Sequence, residues 1–151
     1  MSADFDVFYQ AHIGDAVRWA AGLVANREIG EEIAQDAMFA VGQRLDELDS
    51  PVAYLRRTVV NRSISWHRWH RGEHRRLLRA AAGEATSYTS PTNDMLSALE
   101  SLTSRQRTAV VLRYWSDWTD DQIGESLGCA PATVRVLLHR GLAALKKEIT
   151  L

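Results

Sequence analysis

Residues 119–145 read TDDQIGESLGCAPATVRVLLHRGLAAL, and this stretch decides the fold. Thr119 stands three residues before Gln122. That is capping-box spacing: the hydroxyl accepts the third backbone amide while the glutamine side chain returns to the cap amide. A helix therefore starts at about 120 and stops at Gly128, a residue that takes left-handed dihedrals at little cost. Pro131 suits the first turn of the next helix, which runs to about 148. Its inward stripe is Val134, Leu138, Leu142 (with Gly141), Leu145 and Ile149. Helix, short glycine-containing turn, helix is the helix-turn-helix pattern. An αα-hairpin in a bundle is the alternative. The short turn and the net positive charge of the second helix favour the DNA-binding reading.

Working outward, Thr103 and Gln106 form a second capping box, so a helix starts at about 104. Apolar residues recur at helical spacing through the N-terminal half. Phe5, Phe8, Trp19 and Leu23 lie on or near one stripe of a helix over 4–25. Ile29, Ile33, Ala37, Val41 and Leu45 mark a second helix over 28–46. After the acidic connection 46–49, Ser50 and Pro51 form an N-cap and first turn. The third helix extends from there to about 79. Residues 80–93 are small and polar, lack an apolar period and read as a linker. Strand alternation is missing throughout. The expectation is an all-α protein of two small helical domains, 1–79 and 94–151, joined by the flexible linker 80–93.

The 151 residues carry a net charge of only −1, but the charge is sorted along the chain. Residues 1–50 carry −7, 51–83 carry +7, 84–128 carry −4 and 129–151 carry +3. Alternating blocks point to separate surfaces for separate partners. With 46% apolar residues a packed core is expected. One cysteine, Cys129, allows no internal disulfide and no cysteine metal cluster. There is no signal-peptide pattern at the start and no apolar run long enough for a membrane span. A cytoplasmic location is the default, and no fused regulatory module is expected beyond 151.

The third helix carries the chemistry of single-strand binding. Arg57, Asn61, Ser65 and Arg68 share one polar face, widened by Arg62 and Arg71. Trp66 and Trp69 are interleaved with His67, Arg68 and His70. Cations that track phosphates and flat rings that stack on unpaired bases are what such binding needs. Trp66 sits where either the core or DNA could claim it, and Tyr54 reads first as a core aromatic. His67, His70 and His74 have a spacing that could ligate a metal. Among arginines they more simply meet phosphate or water. No paired catalytic constellation is present, so an enzyme is not expected, and neither a metal nor another cofactor is implied.

Residues 102–145 contain Leu102, Arg105-Gln106-Arg107, Leu112-Arg113-Tyr114, Ile123-Gly124-Glu125-Ser126-Leu127-Gly128-Cys129, Thr133-Val134-Arg135 and Leu138-His139-Arg140. This run resembles region 4 of the extracytoplasmic-function (group 4) sigma factors of the bacterial sigma-70 family. Gly30 to Asp36, Ala53-Tyr54-Leu55-Arg56-Arg57 and Val60-Asn61 resemble region 2 of the same family. The resemblance implies an RNA polymerase sigma factor that binds core polymerase, recognises −35 and −10 promoter elements and promotes melting. It implies core RNA polymerase and promoter DNA as partners and leaves room for an anti-sigma factor. By resemblance Gln35, Asp36 and Phe39 meet polymerase, and an ordinary acidic surface with Phe39 buried is the other reading. Tyr54, Arg57, Asn61, Arg62, Ser65, Trp66 and Arg68 would serve the −10 element, with 46–51 helping to hold a flipped base.

For the −35 element the family pattern is altered. Ala132, Val136, His139 and Ala143 project away from the buried stripe. The family usually has glycine, serine and arginine where Ala132, Val136 and Leu137 stand. Base edges are read by donors and acceptors. Arg135, His139 and Arg140 supply these, Thr133 would reach phosphate or sugar, and Val136 could meet a thymine methyl. Ala130 replaces the family's serine cap and forfeits about 1 kcal/mol. The alternative is a sigma-like regulatory protein whose C-terminal helix binds a protein partner instead of initiating transcription.

Overall fold

The computed structural model describes residues 3–84 and 98–150, with side chains described for 3–70 and 98–148. Among the described residues there are helices and no strand. They are α1 (Ala3–Val24), α2 (Arg27–Gln43), a 3₁₀ turn (Leu45–Glu47), α3 (Pro51–Glu84), α4 (Ser104–Tyr114), α5 (Asp120–Leu127) and α6 (Pro131–Thr150). A further helical turn covers 98–100.

Local chemistry explains most boundaries. Asn26 caps α2 by accepting the Ile29 amide at 3.0 Å. The Ser50 hydroxyl accepts the Ala53 amide at 3.2 Å, so Ser50 caps α3 as its sequence implies. Both capping boxes form, Thr103 with Gln106 and Thr119 with Gln122. Two boundaries differ from the sequence reading. The second helix ends at Gln43, because Arg44 leaves helical dihedrals (φ −127°) and its amide turns to the Val41 carbonyl. The acidic connection is folded into the 3₁₀ turn that follows. The third helix runs to Glu84, five residues into the segment read as linker. Ala80, Ala81 and Ala82 supply the strongest helix propensity there, which outweighs the lack of an apolar period. The rest of that segment lies outside the described residues.

Helices α1 to α3 form one packed unit. Ala16, Ala20 and Leu23 meet Ile33, Ala37, Met38 and Val41 of α2 and Leu55, Val59 and Val60 of α3, all buried. Phe39 is not in this core. It is 54% exposed, so the reading that buries it is excluded. Helices α4 to α6 enclose Leu102, Val110, Leu112, Ile123, Val134, Leu138 and Leu145. On α6 the buried position after Leu138 is Gly141, while Leu142 is 40% exposed, a correction to the expected stripe. A Cβ at Gly141 would stand 2.9 Å from Val110 Cγ2, so α4 and α6 approach too closely there for any larger side chain to share the seam.

The two units pack into one continuous core. Trp118, in the α4–α5 loop, is only 3% exposed. Its indole meets Trp19 of α1 edge to face with ring centroids 5.0 Å apart. Asp117 before it takes φ 57°, a conformation aspartate tolerates better than most residues, and this aims the indole across the interface. Burying a side chain of this size contributes roughly 3 kcal/mol or less.

Candidate nucleic-acid interface

Arg57, Asn61, Ser65 and Arg68 are all exposed along α3, as the helical spacing requires, and Arg62 flanks them. Asn61, Arg62, Ser65, Trp66 and Trp69 line a groove of about 490 Å³ between α3 and α2, closed on the α2 side by Ile33 and Asp36. Trp69 is 83% exposed, a large apolar ring left facing water. Trp66 is half-buried: it packs against the core and also borders the groove. Its ring stacks on His70 with centroids 4.7 Å apart and planes 14° from parallel. Trp66 is thus partly a core residue and partly a wall of the groove.

His67 and His70 make contacts within the protein. His67 is half-buried with Nε2 2.6 Å from the Leu23 carbonyl, a contact that ties α3 to the end of α1. His70 Nδ1 lies 2.9 Å from the Trp66 carbonyl on its own helix. The side chain of His74, like that of Arg71, lies outside the described residues. Among those described, no group of three histidine, cysteine, aspartate or glutamate side chains could hold a metal.

Tyr54 is half-buried against the core, with the Arg44 guanidinium 5.2 Å above its ring. Tyr54 raises the Arg44 pKa above its ordinary value by hydrogen bonding and charge, and Glu47 adds to this, so Arg44 stays a fixed cation. On α2, Gln35 and Asp36 are exposed. They look into different grooves: Gln35 into one shared with α1, beside Val17 and Arg18, and Asp36 into the one shared with Asn61.

The turn between α5 and α6 is as tight as two glycines allow. Gly128 takes φ 72°. A Cβ at Gly124 would come within 2.5 Å of the Cys129 carbonyl oxygen, a backbone atom with no room to yield. Thr133, Arg135, Val136, His139 and Arg140 are all exposed on α6, and Ala132 and Ala143 lie with them. Leu137 is half-buried against the core. Ala130 offers no side-chain cap; its carbonyl instead accepts the amides of Thr133 and Val134 at 2.9 and 3.1 Å.

Three relationships escaped the sequence. Asp120 lies 3.8 Å from both Arg113 and Arg135, joining the end of α4 to the start of α6. Its position in a capping box gave a local role that masked this one. Arg57 donates to the Glu125 carbonyl of α5 across 3.2 Å, although 68 residues separate them. Arg56 lies 5.8 Å from the Trp118 ring centroid. No periodicity encodes contacts between units.

Comparison with known proteins agrees with this geometry. Residues 8–76 match the family model "Sigma-70 region 2" and residues 92–145 match "Sigma-70, region 4". A curated relative, the RNA polymerase sigma-E factor of Streptomyces coelicolor, is 26% identical over 97% of this chain and 86% of its own length. The sigma-E factor of Streptomyces avermitilis is 28% identical over 97% and 85%. Among solved structures, the sigma factor RpoE of Bartonella quintana, crystallised with the anti-sigma factor NepR, superposes with a TM-score of 0.71. It covers 99% of both chains at 19% identity. With both regions present in order on one all-helical chain, the protein belongs to the sigma-70 family as an extracytoplasmic-function RNA polymerase sigma factor.

Proposed function

We propose that this sigma factor divides its work among three helices. Helix α2 docks on core RNA polymerase through Gln35, Asp36 and Phe39. Helix α3 captures the melted −10 strand, and α6 reads the −35 duplex through Thr133, Arg135, Val136, His139 and Arg140. Phosphodiester chemistry belongs to the core enzyme; the sigma factor is the regulatory subunit that works with it in the cytoplasm. Residues 1–79 and 94–151 are the two functional units. An anti-sigma factor is a natural further partner, given the RpoE–NepR complex.

One observation carries the reading: the exposed Asn61, Ser65 and Arg68 face borders a groove where the Trp69 indole stands 83% exposed. Unstacking a base costs a few kcal/mol. Stacking on an aromatic ring returns about 1–3 kcal/mol per base, and the arginines hold the backbone in place. Tyr54, Arg57, Arg62 and Trp66 complete this surface, with the turn at 45–47 beside its start. Polymerase contact through Phe39 is supported by its 54% exposure on an acidic helix, since a half-open aromatic suits a helical partner.

The test is permanganate reactivity of promoter thymines with reconstituted holoenzyme. Asn61→Ala should lower reactivity in the −10 region while core binding stays intact. Equal reactivity in wild type and variant removes α3 from melting.

A further inference from the structure

Arg44 is fastened through both its backbone and its side chain. Its amide donates to the Val41 carbonyl at the end of α2, and its carbonyl accepts the Glu47 amide at 2.9 Å. Its Nε lies 3.5 Å from the Glu47 carboxylate, and its Cζ stands 5.2 Å from the centre of the Tyr54 ring. One residue thus clasps α2, the 3₁₀ turn and the first turn of α3. The clasp reaches the groove by one further step. The Tyr54 carbonyl accepts the Thr58 hydroxyl at 2.8 Å, and Thr58 lines the groove beside Asn61.

Such a clasp does little for folding. The ion pair is open to water, with side-chain exposures of 50% for Arg44 and 70% for Glu47. Exposed pairs contribute little, because water screens them and two long side chains must be held still. What they fix is geometry. The connection 46–49 carries Asp46, Glu47 and Asp49, carboxylates that would repel the phosphates of a strand laid along α3. Arg44 holds the middle one.

We propose that Arg44 is a positioning residue for promoter melting: it holds the Tyr54 ring and the acidic turn in the arrangement that admits the unpaired −10 strand. This rests on the reading of α3 as the −10 surface. Arg44 acts through Tyr54. A cation over a ring face restricts how the ring can tilt, and a ring already held in place meets a base without a further ordering cost. Duplex promoter does not need that arrangement, whereas strand opening does. Loss of Arg44 therefore slows opening and leaves the closed complex intact.

The test is a time course of permanganate reactivity with reconstituted holoenzyme, at concentrations that span the closed-complex affinity. Arg44→Met keeps most of the side-chain length and removes the charge. It should lower the opening rate roughly threefold to fivefold, the share that an exposed cation–ring contact carries, with closed-complex affinity and core pull-down unchanged. Arg44→Lys keeps a cation within reach of ring and carboxylate. It should recover most of the rate, a rescue that a role in packing alone would not show. Tyr54→Leu should also slow opening, and adding Arg44→Met to it should slow it no further. A full rate in Arg44→Met, no recovery in Arg44→Lys, or multiplying effects in the double variant overturns the proposal. A weaker closed complex with a shallower salt slope in Arg44→Met overturns it too, because Arg44 would then be a direct phosphate contact. A full rate in Tyr54→Leu removes the −10 reading of this surface and the proposal with it. A slowed Tyr54→Leu beside an unaffected Arg44→Met removes Arg44 alone. The Arg44 arms decide even where Tyr54→Leu folds poorly, because Arg44 stands half in water.

Discussion

Asp120 holds Arg135: a carboxylate oxygen at the start of α5 lies 3.8 Å from the guanidinium at the start of α6. Its other oxygen is buried without a hydrogen bond and lies 3.8 Å from Arg113. One carboxylate thus restrains two cations, one of which is a candidate DNA contact. Asp120→Asn should release Arg135 and remove a negative charge from the side proposed to meet DNA. A partly exposed pair of this kind is worth about 1 kcal/mol or less, so promoter affinity at low salt should rise up to about fivefold. The gain should apply to all sequences and steepen the salt slope by about one unit if Arg135 meets phosphate. Titration of labelled promoter DNA at several salt concentrations reads both, and an unchanged slope and affinity would separate Arg135 from the backbone.

Val136 is 46% exposed on the face of α6 where base edges would lie. Covering one methyl contributes about 0.8 kcal/mol, a factor of about four in affinity. Replacing the contacted thymine by uracil should cost wild type about that factor and cost Val136→Ser almost nothing. Arg140→Ala on the same promoter should lose about 1–3 kcal/mol and relax discrimination at one base pair if Arg140 reads a base. Competition binding with substituted −35 duplexes distinguishes these outcomes.

Because Asp36 borders the same groove as Asn61, reversing its charge should act twice. Asp36→Arg should weaken core binding by about tenfold at low salt, with the deficit shrinking as salt rises. At saturating core enzyme a melting defect should persist, because the groove beside Asn61 is also changed. Core pull-down and permanganate reactivity measured together separate the two effects. Unaltered binding at low salt would remove Asp36 from the polymerase contact.

Two core substitutions should shift stability in opposite directions. A Cβ at Gly30 would come within 2.6 Å of the Ala21 backbone, so Gly30→Ala must force α1 and α2 apart. A loss of about 1–3 kcal/mol is expected. Ser63 is 1% exposed and its hydroxyl has no hydrogen-bond partner. Ser63→Ala removes that buried polar group and should gain about 1 kcal/mol. Urea unfolding followed by circular dichroism gives both values.

What was legible in the sequence was what short-range chemistry decides. Both capping boxes, the Ser50 cap and the left-handed Gly128 sit where residue type alone put them. The α3 face was legible because helical spacing fixes which side chains align, and Asn61, Ser65 and Arg68 are exposed together. Leu142 was misplaced because Gly141, which has no side chain to count as apolar, takes the seam position. Trp118 follows Ser116 and Asp117 and precedes Thr119, so no apolar period singles it out. Its burial depends on α1, about a hundred residues away, and no local pattern reports that. Likewise Phe39 could be assigned to surface or core only after the other helices had claimed their neighbours.

The edge-to-face pair of Trp19 and Trp118 makes the molecule its own optical gauge. Of five tryptophans, these two are buried, and their rings are held 5.0 Å apart at 90°. Trp69 and Trp115 stand largely in water, at 83% and 55% exposure. Fixed chiral surroundings give aromatic rings their near-ultraviolet circular dichroism, whereas rings tumbling in solvent contribute little. Trp66, half-buried and stacked on His70, adds a share from α3, and much of the remaining tryptophan signal should originate where the two units touch. A binding event that parts them should weaken it markedly while the far-ultraviolet helical bands stay unchanged, with no dye, tag or substitution needed to see it.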